Sequence, residues 1–171
     1  MKMLLVAFII LVVTSLLTAQ DYKIAADIKN GEPLLLGYFP LSVLINDTSF
    51  SAWWNEEYDN YGLDYTVLDS LEGKLEDISI KIVLRTTCSD SREQVPRFFK
   101  ILNELSNPVA NITLIGVDRK KNGLSNESEG LEIEFVPTFI FYKDGTEIGR
   151  IVETPIESLE RDMVRIIMRN L

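Results

Sequence analysis

The sequence predicts an α/β chain built on a central mixed β-sheet flanked by helices, and three observations carry that reading. Two runs rich in β-branched residues, 78–84 and 112–117, are separated by one stretch of helical spacing, residues 89–105, as in a β-α-β unit. Residues 138–142 and 147–152 flank a Lys143-Asp144-Gly145 turn, as in an antiparallel hairpin. A last amphipathic stretch runs from Pro155 to Leu171.

Taken from the N-terminus, Lys2 is followed by an apolar run from Met3 that continues to Ala19, ahead of the polar Gln20-Asp21. This reads as a secretory signal over residues 1–19 and implies export. The apolar span of about 17 residues lies at the lower limit for crossing a bilayer, so an uncleaved anchor is the alternative. Residues 20–45 show no sustained helical period; Asn30-Gly31-Glu32-Pro33 and Phe39-Pro40 punctuate them as loop or short extended pieces.

From Asp47-Thr48-Ser49 the pattern changes. Phe50, Trp53, Trp54, Tyr58 and Tyr61 recur at three- and four-residue steps, which predicts an amphipathic helix ended by Gly62. An aromatic stripe at this spacing is read as core rather than as a ligand surface. Asp64 is placed to cap a second helix carrying Val67, Leu68, Leu71 and Leu75. Residues 20–75 thus read as an N-terminal extension with two helices, preceding an α/β domain over residues 76–171.

In that domain, Ile78 to Leu84 first alternates and then runs continuously apolar, as a central strand does. It leads into Cys88. Val95, Phe98, Phe99, Leu102 and Leu105 mark one face of the helix that follows, interrupted early by Pro96. Ile112 to Val117 is a second buried strand, and Asp118 to Gly130 reads as an exposed polar loop or short helix with no metal-ligand geometry. For the last helix, Thr154 is the expected N-cap and Pro155 the first helical residue, with Ile156, Leu159, Met163, Ile166 and Ile167 on the buried face.

Composition narrows the chemistry. The chain has 171 residues, 46% apolar and 25% charged, which fits one folded core and excludes collagen, coiled coil and disorder. It has no histidine and one cysteine, which removes Ser-His-Asp and Cys-His machinery, histidine-based zinc sites and any intramolecular disulfide. A net charge of −9 argues against nucleic acid, whose phosphates require a basic surface. The sequons at Asn46, Asn111 and Asn126 are read as chance occurrences.

A strand, a cysteine heading a kinked helix, a second strand, Val136-Pro137-Thr138 opening a hairpin, and a final helix together resemble the thioredoxin fold. Thr87-Cys88-Ser89-Asp90-Ser91 sits where that family has its Cys-x-x-Cys, and Pro96 stands like its helix-kinking proline. Phe135-Val136-Pro137-Thr138 resembles its cis-proline segment, Lys143-Asp144-Gly145 its hairpin turn, and Val117-Asp118 its third-strand ending. More closely, Cys-Ser-Asp-Ser-Arg with Val95-Pro96-Arg97-Phe98 resembles secreted thioredoxin-like proteins of Bacteroidetes-type bacteria, which implies a periplasmic or extracellular setting. Three departures matter: Ser91 replaces the resolving cysteine, Thr87 the usual tryptophan, and Ile82 the buried acid that helps move protons in thioredoxins. Two-cysteine turnover within one chain is therefore excluded.

The resemblance implies a monothiol oxidoreductase in which Cys88 is the nucleophile, Ser91 and Pro137 complete the catalytic group, and Thr87, Ser89, Asp90, Val136 and Thr138 contact the substrate. No cofactor or metal is implied. A helix N-terminus favours a thiolate, and Arg85 and Arg92 would add to this, whereas the Asp90 carboxylate opposes it. Ser91 is expected to cap the helix, where Asp90 and Glu93 have capping-box spacing, and its hydroxyl would also donate to the Cys88 thiolate. The partners implied are protein or small-molecule thiols and disulfides, with the chain a monomer or a Cys88-linked dimer. The rival reading is a non-catalytic binding module that uses the Pro137 groove and the Trp53/Trp54 helices.

Overall fold

The computed structural model describes residues 21–105 and 112–170; the leader reading and the Asn111 sequon lie outside the described residues. Strands β1 (Tyr22–Ala26), β2 (Pro33–Tyr38), β3 (Ile78–Leu84), β4 (Ile112–Gly116), β5 (Thr138–Lys143) and β6 (Thr146–Val152) form one mixed sheet. Their order is β1-β2-β4-β3-β5-β6. The β3 strand is central, parallel to β4 and antiparallel to β5, so that Ile82 pairs with Leu114 on one side and Phe139 on the other. This is why its sequence ends as a continuous apolar run: both edges are paired and both faces covered. The β3-α-β4 unit, the β5-β6 hairpin and the last helix give the thioredoxin-like arrangement.

The pieces of residues 20–45 that read only as loop or short extended segments are β1 and β2, followed by a short helix α1 (Leu41–Asn46) that begins after Pro40. The β1-β2 hairpin belongs to the main sheet, because β2 pairs antiparallel with β4 at Gly37↔Gly116 and Tyr38↔Ile115. Gly116 is required there, since a Cβ would collide with the Leu35 backbone carbonyl.

Helices α2 (Ser51–Asn60), α4 (Ser89–Glu104) and α5 (Leu159–Met168) bury their apolar residues in one large cluster against the sheet. Trp54 is 3% exposed and packs on Phe99 with ring centroids 5.6 Å apart, while Phe98 meets Phe139 at 4.6 Å. Of the aromatic stripe, Phe50 and Trp54 are core, as the spacing predicts, while Trp53, Tyr58 and Tyr61 pack half-buried against it. A smaller cluster of Val83, Cys88, Ile115, Val117 and Val136 forms separately and is covered by Leu131 and Ile133 from the long loop before β5. Val83 alternates with Ile82 and Leu84 of the large cluster, which places the small one on the opposite face.

Two helix boundaries differ from expectation. The helix α3 (Tyr65–Leu68) is capped by Asp64 as predicted, but then gives way to tight turns in which Leu71 bonds Leu68 and Lys74 bonds Leu71. Leu71 and Leu75 remain buried all the same. The last helix starts at Leu159, with Ser158 rather than Thr154 as its cap, the Ser158 side chain accepting from the Arg161 amide. The buried Asp162 carboxylate takes the Ile156 amide at 2.8 Å, which holds residues 155–157 outside the helix and leaves Ile156 exposed.

Candidate active site

Cys88 is the N-cap of α4, reached by a turn in which its amide bonds the Arg85 carbonyl at 2.9 Å. It is 9% exposed. Its Sγ donates toward two acceptors, the Val136 carbonyl at 3.3 Å and Asp90 Oδ2 at 3.7 Å. The Val136-Pro137 bond is cis, and it stands directly before β5. The β3↔β5 register, which sets Val83 opposite Thr138, is what carries this segment to the thiol. Thr138 is buried, its hydroxyl donating to the Phe135 carbonyl at 2.7 Å. Phe135 itself is 51% exposed beside the thiol's acceptor.

The structure therefore brings together Cys88, Asp90, Val136 and Pro137. Ser89 is exposed on the first turn of α4. Ser91 takes a different role from the one expected: it is fully buried, and its Oγ accepts from the Arg85 amide at 3.3 Å. It neither caps α4 nor hydrogen-bonds Cys88 among the described contacts; its oxygen is committed to the amide that follows the end of β3. Arg92 is likewise committed elsewhere, its Nε to the Thr86 carbonyl and its terminal nitrogen to Glu32, both at 2.6 Å. Among the described residues, the Nε of Arg85 is buried with no hydrogen-bond partner. Ile82, at the place where the resemblance expects an acid, is wholly buried in the large cluster.

The buried acid near the site is Asp27, which sequence reasoning missed. It lies in the β1-β2 turn, and its Oδ2 accepts from Thr87 Oγ1 at 2.8 Å. Its Oδ1 accepts from the Lys29 amide at 2.8 Å and from Arg119 Nε at 3.1 Å. The Lys29 amide, followed by Thr87 and Arg119, holds the carboxyl at about 2 against the upward push of burial. The signal available in the sequence was the Asp27-x-Lys29 spacing ahead of Asn30-Gly31, which marks an Asx turn. Nothing local pointed from that turn to Thr87.

No protein-family model and no curated protein matches the chain. Among solved structures, a protein of unknown function from Pseudomonas aeruginosa is similar with a TM-score of 0.51 at 16% identity, over 70% of this chain and 82% of that one. Thioredoxin O2 from Arabidopsis thaliana in its oxidised state is similar with a TM-score of 0.38 at 22% identity, over 62% of this chain and 84% of that one. The first of these likenesses is one of fold.

Proposed function

We propose that this protein carries out thiol-disulfide exchange through Cys88, resolved by an outside thiol. The observation that carries the reading is the thiol at the head of α4, 3.3 Å from the Val136 carbonyl beside Pro137. That carbonyl and its neighbours are main-chain groups with which an extended substrate segment pairs as an added strand. In the forward step the Cys88 proton is lost and its sulfur attacks one sulfur of a disulfide. A Cys88-S-S-R bond forms, the original S-S bond breaks, and the departing thiolate takes up the proton. Cys88 is the chain's only cysteine, so a second thiol, from solvent or from the substrate itself, must attack the mixed disulfide and return Cys88 to its reduced form.

This chemistry suits isomerisation, deglutathionylation or capture of client thiols and disulfides, without metal or cofactor. The Cys-x-x-Ser pattern and the apolar run at the N-terminus support an exported, periplasmic or extracellular setting for this chemistry. Cys88→Ser tests the reading: the variant should keep its fold and lose all exchange with protein disulfides. Undiminished exchange in the variant would end the proposal. Loss of exchange with partner binding retained would separate the chemistry from the rival binding role.

A further inference from the structure

The loop that delivers Cys88 is held by a segment far away in sequence. The Thr86 hydroxyl donates to the Pro33 carbonyl at 3.0 Å and accepts from the Leu35 amide at 3.2 Å. The Thr87 hydroxyl donates to Asp27, and Arg92 links the Thr86 carbonyl to Glu32. Asp27, Glu32, Pro33 and Leu35 all belong to the β1-β2 hairpin. Of these contacts, the one from Asp27 ends nearest to the thiol, one residue before it.

Asp27 is built for a fixed position. Its side chain is 1% exposed, and three donors surround the carboxylate, which is what a buried charge requires. The Asp27 amide bonds the Glu32 carbonyl and the Gly31 amide bonds the Asp27 carbonyl, both at 2.8 Å, so the turn carrying it is closed. Through Arg119 it also reaches the loop that follows β4. Of the three bonds to the carboxylate, the one from Lys29 lies within the turn, whereas the bond from Thr87 spans 60 positions and ties the turn to the cysteine loop.

We propose that Asp27 is a positioning residue for Cys88: through Thr87 it fixes the loop so that the thiol lies against the Val136 carbonyl beside Pro137. The inference rests on the exchange reading above. Asp27 touches neither the sulfur nor a substrate; it restricts where the sulfur is. Exchange requires the attacking sulfur to approach in line with the bond it breaks, so a loop free to swing loses alignment while it exposes the thiol to any small reagent.

The test compares wild type, Asp27→Asn, Thr87→Val and Thr87→Ser as the full chain, each confirmed folded by its urea transition. Two rates are measured: alkylation by iodoacetamide and exchange with the disulfides of insulin. Asp27→Asn and Thr87→Val should raise alkylation about threefold or more and lower exchange about threefold or more, a combination that loss of alignment produces. Thr87→Ser restores the donating hydroxyl and should return both rates to within about twofold of wild type. A folded Thr87→Val with both rates within about twofold of wild type, or a Thr87→Ser that behaves like Thr87→Val, overturns the proposal. Should the wild type alkylate but not exchange with insulin, the exchange reading falls, and the alkylation rates alone still decide the positioning.

Discussion

Thr86→Val is the substitution whose effect follows most directly from the geometry. The Thr86 hydroxyl is fully buried and serves two main-chain groups of β2, the Leu35 amide and the Pro33 carbonyl. It stands where a neighbouring strand would otherwise supply the ladder, because β2 pairs with β4 only at Gly37 and Tyr38. Valine keeps the shape and removes both hydrogen bonds. Each main-chain group left unpaired in the interior costs about 1–3 kcal/mol, and the added methyl recovers about 0.8 kcal/mol. The net loss should be about 1–5 kcal/mol, against a total of about 5–15 for a domain of ordinary stability. With a urea slope of about 2 kcal/mol/M, the middle of the usual range, the midpoint should fall by roughly 0.5–2.5 M. Thr86→Ser keeps the hydroxyl and should lose only about 1 kcal/mol. A Thr86→Val midpoint within error of wild type, or an equal loss in Thr86→Ser, would refute the role assigned to the hydroxyl.

Two further predictions concern stability. Tyr61→Phe removes the donor that meets the buried Glu160 carboxylate at 2.8 Å and should cost about 1–2 kcal/mol in urea unfolding, with no loss expected if water replaces the phenol freely. Asp27 gives a pH dependence of known sign. Its folded pKa of about 2 lies below the ordinary carboxylate value, so its contribution is complete above about pH 4 and is lost as pH falls toward 2. Urea midpoints measured at about pH 5 and pH 2.5 should therefore fall less in Asp27→Asn than in wild type. Asp47 and Asp64, also depressed, titrate alike in both proteins and cancel from the comparison. Equal falls would show that Asp27 is not the group responsible.

The elements readable from sequence are those whose burial imposes a strong period. β3 and β4 are β-branched runs with paired edges, α4 shows its apolar face despite Pro96, and Lys143-Asp144-Gly145 announces the β5-β6 hairpin. The first hairpin is unreadable for the converse reason. β1 is an edge strand whose residues are mostly exposed, so Tyr22–Ala26 carries no alternation to detect. That Cys88 and Val136-Pro137 are neighbours was legible only through the resemblance to the thioredoxin fold, since nothing local links two strand ends 48 positions apart. Asp27 was not, since its bond to Thr87 depends on how an edge hairpin folds across the sheet. Ser91 illustrates a third limit: a first-turn serine has several acceptable partners, and the choice of the Arg85 amide is made by the strand end rather than by its own helix.

The central claim, that Cys88 exchanges with disulfides in the folded protein, is tested most directly by intact-mass spectrometry. The folded chain is incubated with excess 2-hydroxyethyl disulfide and then with a free thiol. The account predicts one hydroxyethylthio adduct, absent in Cys88→Ser and removed again by the thiol. No adduct on the folded chain, under conditions where the urea-unfolded chain acquires one, would contradict it.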